Sequence, residues 1–114
     1  MKVLISCHAK DRLVERFKFN PEDTNKMKQF ILQVMQNGEL NKSGKNYGQV
    51  TLVDVSGECF IFKEDSFERV DYVLVTIELG CSFLNYKSSR IVGSPFRNQE
   101  IELFMMEELQ QVKQ

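Results

Sequence analysis

His8, Arg12 and Arg16 are the residues whose types and spacing best suit chemistry. They follow one another at intervals of four, and on an α-helix each such step rotates by only about 40°, so the three side chains share one ridge. An imidazole transfers protons near neutral pH, and a guanidinium binds two phosphate oxygens at once. This combination suits metal-independent RNA cleavage, in which a proton moves beside a phosphate that gains negative charge.

The same spacing is also consistent with an ordinary charged helix surface. Asp11 and Glu15 lie on the neighbouring ridge and can pair with Arg12 and Arg16. In that interpretation, His8 is a hydrogen-bonded residue of the first helical turn and does no chemistry. The spacing by itself leaves both interpretations open.

The elements that position these residues are predicted from capping residues and the period of the apolar side chains. A short strand at residues 3–5 leads to Ser6, which can cap a helix over residues 7–17. A second helix is predicted to begin after Asn20, with Pro21 in its first position, and to stop at Gly38. The residues expected to form its buried ridge are Met27, Phe30, Ile31, Val34 and Met35.

After Gly38 the apolar period changes from 3.6 to 2, which is typical of strands. Strands are predicted at residues 49–55, 59–63 and 70–79. Ser56-Gly57 predicts a tight hairpin between the first two, and a polar turn precedes the third. Antiparallel pairing is therefore expected.

The end of the chain is predicted to form a helix over residues 99–112, capped by Asn98. Its apolar arc leaves Leu103 and Met106 outside, either as two stray apolar residues or as a surface for a protein partner or a second copy. The expected fold class is α+β: two N-terminal helices packed on an antiparallel sheet of three to five strands, with a C-terminal helix, in a single domain of residues 1–114.

Composition excludes several classes of protein. The chain has 114 residues, 42% of them hydrophobic, and a net charge of -1, which is too apolar and too balanced for a disordered chain. No apolar run approaches the roughly 20 residues of a membrane-spanning helix, so no membrane association is expected. Three scattered cysteines and one histidine indicate no disulfide framework, no metal site and no cofactor, which fits the cytoplasm.

The balanced total hides two basic segments. Lys and Arg minus Asp and Glu gives +3 for residues 1–18, -4 for 19–81, +3 for 82–98 and -3 for 99–114. Two short basic segments in a weakly acidic chain can form a local anion site, but they lack the extended basic surface of a general nucleic-acid coat protein. Any contact with RNA is therefore expected to be compact.

The pattern Ser-x-His-Ala-x-x-Arg-x-x-Glu-Arg, formed by residues 6–16, resembles the opening of a small domain family of bacteria and phages. Gly38-Glu39 and Val75-Thr76-Ile77 resemble later features of that family, which is similar to the RelE and barnase-like superfamily of toxins and ribonucleases. The pattern of Ser6, His8, Asp11, Arg12 and Arg16 also looks like the helix of the phage early-message endoribonucleases in this superfamily. The resemblance covers about residues 3–79 and implies the order helix, helix, antiparallel strands.

The resemblance implies an endoribonuclease or messenger-RNA-cleaving toxin that leaves a 2′,3′-cyclic phosphate. His8 would be catalytic, and Arg12 and Arg16 would support it. The partners implied are RNA, including ribosome-bound messenger RNA, and a protein partner or antitoxin at the C-terminal helix. Further phosphate contacts are expected from Lys10, Lys63, Arg69, Lys87 and Arg90, and base stacking from Tyr47, Tyr72 or Tyr86.

One departure weakens the catalytic interpretation. His8 is the only histidine of the chain, so a two-histidine acid and base pair is impossible. The alternative is a non-catalytic phage or mobile-element protein of the same fold that binds a host protein or RNA without cutting it.

Overall fold

The computed structural model describes residues 1–40, 48–54, 56–65, 69–78 and 92–108. Within these residues the chain has α+β architecture, as the sequence predicts. Its helices and strands, in chain order, are β1 Lys2–Ile5, α1 Cys7–Phe17, α2 Thr24–Asn37, β2 Glu39–Leu40, β3 Gln49–Val53, β4 Cys59–Glu64, β5 Tyr72–Glu78, β6 Val92–Gly93 and β7 Glu102–Met105.

The strands form one mixed sheet in the order β6-β2-β3-β4-β5-β1-β7. Strands β3 to β5 pair antiparallel in sequence, as predicted, and β2 also pairs antiparallel with β3, which was not predicted. However, β1 pairs parallel with both β5 and β7, so the expectation of an antiparallel sheet of three to five strands is wrong: the described residues contain seven strands. Strands β2 and β6 have two residues each, which is too short to show a period of 2.

The predicted helix over residues 99–112 is also wrong in the described part of the chain. Glu102–Met105 forms β7, and only residues 106–108 are helical among the described residues that follow it. Leu103 and Met105 alternate with Glu102 and Phe104, and pairing with β1 satisfies the backbone groups along that edge of β1. A terminal helix would leave those groups without a partner strand.

Helix α2 begins later than predicted and ends where predicted. The side chain of Asn20 accepts a hydrogen bond from the Glu22 amide at 3.0 Å, so Asn20 and Pro21 form a turn before the helix. Gly38 follows the last helical residue with an ordinary φ of -65°. Glycine is needed there because a Cβ would lie 2.6 Å from the carbonyl oxygen of Val34.

The loop between β3 and β4 is wider than the predicted two-residue hairpin. The Asp54 amide donates to the Glu58 carbonyl at 3.1 Å, and the Asp54 carboxylate accepts from the amides of Ser56 and Glu58 at 3.0 Å each. Gly57 has a φ of 87°, in the left-handed region that glycine adopts without strain.

Both helices pack on one face of the sheet. The core residues there are Val3, Ile5, Ala9, Leu13, Met27, Ile31, Val34, Met35, Leu52, Phe60, Phe62, Leu74, Ile77, Phe96 and Met105. The predicted ridge of α2 is confirmed, with four of its members buried and Phe30 partly buried. Neither helix in the described ranges has the length and apolar character that crossing a membrane requires.

Phe96 attaches the turn after β6 to this core. Its ring meets Phe62 and Tyr72 edge to face, with centroid distances of 5.6 and 5.0 Å. The buried hydroxyl of Ser94 donates to the Met35 carbonyl at 2.5 Å and accepts from the Phe96 amide at 3.1 Å. The turn therefore joins the end of α2 to the sheet.

We expect Phe96→Ala to lower the free energy of unfolding by about 3–5 kcal/mol, because it removes a buried ring and leaves a cavity. Urea denaturation measures the loss. Phe96→Leu, which retains most of the volume, should lose less. A loss below about 1 kcal/mol for Phe96→Ala would show that the turn detaches from the core at little cost.

Candidate functional site

Helix α1 is fixed to the sheet at Ser6. The Ser6 hydroxyl accepts a hydrogen bond from the Ala9 amide at 3.1 Å, which is the predicted helix cap. The same hydroxyl donates to the Val75 carbonyl of β5 at 2.9 Å, and the Ser6 amide donates to the Leu74 carbonyl at 3.2 Å. These bonds fix the first turn of α1, which carries His8, relative to β5.

His8 and Arg12 lie one turn apart on the same side of α1. His8 is exposed, and no described residue forms a hydrogen bond with its ring. The Arg12 side chain is one-third exposed, and its Nη1 lies 3.3 Å from Glu15 Oε2. The predicted neighbourhood of an imidazole and a guanidinium is therefore present, with one edge of the guanidinium held by Glu15.

The Nε atom of Arg12 is buried and has no hydrogen-bond partner among the described residues. An unpaired buried donor costs about 1–3 kcal/mol, and more when it carries charge. The described neighbours of Arg12 thus leave one of its hydrogen-bond donors without an acceptor. A ligand oxygen that reached it after a small shift would recover that free energy.

Arg16 forms a bond of a different kind. Its Nη1 donates to the Ile77 carbonyl of β5 at 2.6 Å, in a partly buried contact. The helix ridge thus brings the three predicted residues into line, but Arg16 joins α1 to the sheet. Of the two arginines on this ridge, Arg12 is the one that no bond among the described residues joins to the sheet.

The remaining basic residues do not join this group. Lys10 lies on nearly the opposite side of α1 from His8 and pairs with Glu107 at 3.5 Å. Lys63 is exposed on β4 and follows Phe62, whose buried side chain packs in the core with the helices, so Lys63 projects from the other face of the sheet. Arg69 is exposed in the turn before β5. Lys87 and Arg90 lie outside the described residues, as do Tyr47 and Tyr86.

The predicted partner surface has a different form from the one expected. Leu103 lies on β7, not on a helix, and packs partly buried against the core. Met106 is half-buried in the helical turn that follows. The structure therefore does not present the two side chains together on one exposed helix face.

A concave site lies at the end of the sheet where β1 and β5 begin. A cavity of about 530 Å³ is lined there by Lys2, Glu64, Asp65, Arg69, Asp71 and Tyr72, among others. Burial raises the pKa of the Tyr72 phenol, and the carboxylates of Glu64 and Asp71 raise it further. Six of its lining residues lie between positions 64 and 72, a polar stretch in which the sequence predicts Arg69 and Tyr72 as RNA contacts but predicts no cavity.

In the described part of the chain, no group of three His, Cys, Asp or Glu side chains is placed to hold a metal ion. Cys7 is exposed and Cys59 is buried. The chain matches no protein-family model, and comparisons with curated proteins and with solved structures also give no match. Function is therefore inferred from the residues and their geometry.

We expect Arg16→Ala to lower the free energy of unfolding by about 1.5–3 kcal/mol, because loss of a charged donor leaves the Ile77 carbonyl without it in a partly buried place. Arg12→Ala, by contrast, removes an exposed ion pair of small value and an unsatisfied Nε, so its loss should stay below about 1 kcal/mol. Chemical denaturation of the two variants beside wild type measures both values. Equal losses would contradict the structural role assigned to Arg16.

The raised pKa of Tyr72 makes stability depend on alkaline pH. Folding favours the protonated phenol, so this contribution is complete below the unfolded pKa, about 10, and disappears as pH rises through the higher folded pKa. Tyr72→Phe removes this titration. The decline in unfolding free energy above pH 10 should therefore be shallower in Tyr72→Phe than in wild type, as measured by urea denaturation; identical declines would contradict the assignment.

Proposed function

We propose that this chain is a metal-independent endoribonuclease in which His8 transfers a proton and Arg12 stabilises charge on the reacting phosphate. The observation that carries the proposal is the position of the exposed His8 ring, one helical turn from the partly exposed Arg12 guanidinium on a helix fixed to the sheet. Imidazole and guanidinium are the two groups that this reaction needs at a phosphate.

In the proposed reaction the ribose 2′-oxygen attacks the adjacent phosphorus while the bond from phosphorus to the 5′-oxygen breaks. The products are a 2′,3′-cyclic phosphate and a 5′-hydroxyl. His8 takes the proton from the 2′-hydroxyl, and solvent protonates the departing 5′-oxygen. Arg12 faces the phosphate oxygens that gain charge, and an interaction that strengthens as that charge grows accelerates the reaction.

The RelE-like and barnase-like assignment is part of this proposal. The order β1, α1, α2 and then antiparallel strands agrees with the order that the resemblance implies. Gly38-Glu39 lies where α2 passes into β2, and Val75-Thr76-Ile77 lies within β5. The free thiol of Cys7 suits the reducing cytoplasm in which such an enzyme would meet messenger RNA.

A second candidate function is RNA binding without cleavage. The observation that favours it is the bond between Arg16 and the Ile77 carbonyl, which removes one of the two guanidiniums expected at the phosphate. The ion pair between Arg12 and Glu15 also requires RNA to compete for the remaining one. A domain of this kind would still bind a phosphate backbone and would lose affinity as salt rises.

Incubation of wild type and His8→Ala with long single-stranded RNA in EDTA tests both candidates. We expect wild type to produce fragments with 2′,3′-cyclic phosphate ends, and His8→Ala to cut at least about 100-fold more slowly because it lacks the proton acceptor. His8→Asn keeps a polar side chain and serves as the matched control, with the same loss expected. Circular dichroism checks that each variant is folded.

Three outcomes distinguish the candidates. An unchanged rate in His8→Ala would overturn the role of His8. RNA binding without any cleavage by wild type would favour the second candidate. Neither binding nor cleavage would exclude both functions for free RNA.

A further inference from the structure

The chain beyond β7 returns to the two helices. Because β7 is parallel to β1, with Met105 opposite Ile5, it leaves the sheet at the end where β1 leads into α1. The helical turn at residues 106–108 therefore lies beside the helices. Its two acidic residues contact them separately: Glu107 Oε1 lies 3.5 Å from Lys10 Nζ of α1, and Glu108 Oε1 lies 2.5 Å from Lys28 Nζ of α2.

The two lysines are unusually covered for residues of their type. Each side chain is 22% exposed, whereas Glu107 and Glu108 are 65% and 40% exposed. The lysine side chains are thus more covered than the carboxylates that they meet. Two lysines from different helices face one short turn, and each has a carboxylate beside its ammonium group.

A cavity of about 310 Å³ opens next to the pair formed by Lys10 and Glu107. Cys7, Val14 and Pro21 form part of its lining, together with Lys10 and Glu107 themselves. Asp11 and Glu15 also line it, which restricts an anion to the lysine end of the cavity. An anion that enters this cavity can therefore reach Lys10 if Glu107 moves away.

The carboxylates are weak occupants of this position. Ion pairs that face solvent contribute little to stability, and salt weakens them further. They nevertheless compete effectively with a ligand in solution, because a group on the same chain is present at a high effective concentration. A ligand with several linked phosphates can contact both lysines at once and displace both carboxylates together.

We propose that Lys10 and Lys28 form a phosphate site for the RNA backbone, and that Glu107 and Glu108 cover this site as an internal competitor. The proposal rests on the proposed function for its ligand, but it concerns a separate place, since Lys10 projects from nearly the opposite side of α1 from His8. The C-terminal turn then sets the affinity for RNA without contacting the reacting phosphate.

The test compares wild type with the double variant Glu107→Gln/Glu108→Gln. The probe is a fluorescent single-stranded 2′-O-methyl RNA, which lacks the attacking hydroxyl and is not cleaved. Anisotropy titrations should show binding about threefold to tenfold tighter in the double variant. The slope of log affinity against log salt should steepen by about 0.7 for each additional phosphate that the variant neutralises.

Two controls separate the site from a general effect of charge. Glu100→Gln/Glu102→Gln removes the same charge from exposed residues that form no ion pair with other described residues, and should leave affinity nearly unchanged. Adding Lys10→Ala and Lys28→Ala to the Glu107→Gln/Glu108→Gln protein should abolish the increase in affinity. An equal increase in the Glu100→Gln/Glu102→Gln protein, or no increase in the double variant, would overturn the proposal.

Inorganic tripolyphosphate distinguishes a failure of this site from a failure of RNA recognition. We expect it to raise the melting temperature of the double variant more than that of wild type, and to have no such effect once both lysines are replaced. If tripolyphosphate binds in this way and the RNA probe does not, the phosphate site stands and the RNA function fails. If neither ligand depends on the lysines, the phosphate site itself is wrong.

Discussion

Strand β1 is the constraint on which the remaining structure depends. It has four residues, yet it lies between β5 and β7 and pairs with both. Val3, Leu4 and Ile5 are buried, so the strand contributes apolar area on both faces as well as two ladders of hydrogen bonds. Its parallel pairing with β5 places Ser6 beside Leu74 and Val75, and this contact determines where α1 begins.

Because β1 lies between β5 and β7, the two sides of helix α1 contact different parts of the chain. On one edge, Arg16 bonds to the Ile77 carbonyl of β5. On the other edge, Lys10 meets the turn that follows β7. Arg16 is thus positioned by β5 and Lys10 by the turn after β7, the two strands that flank β1.

The parts of the fold that local chemistry specifies were predictable. The bounds of α1, the stop of α2 at Gly38 and the antiparallel pairing of β3 to β5 follow from caps and periods in contiguous residues. The pairing of β1 with β7 was not predictable in this way, because it joins distant residues through backbone groups that every sequence has. Ile101, Phe104 and Met105 fit one helical arc, whereas Ile101, Leu103 and Met105 fit an alternating strand, and the free edge of β1 decides between the two.

The candidate site shows the same division. The helical ridge of His8, Arg12 and Arg16 was predictable from spacing, because spacing fixes direction on a helix. The hydrogen bond from Arg16 to the Ile77 carbonyl was not predictable, since the acceptor is a backbone atom far along the chain. The ion pairs of Lys10 and Lys28 with Glu107 and Glu108 have the same origin, and they form only once β7 returns beside β1.

The double pairing of β1 also determines the order in which the chain can fold. During synthesis, β1 and α1 emerge first, but β5 emerges much later, and β7 later still. Pairings between residues so distant in sequence form slowly, because the intervening chain must first lose the entropy of closing a long loop. The antiparallel strands β3 to β5 pair with strands that are near in sequence and can assemble early. The helix that bears His8 reaches its final position only when β1 pairs with β5. A partly synthesised chain that lacks β5 therefore also lacks the carbonyl groups to which Ser6 and Arg16 bond, and its candidate site remains unassembled.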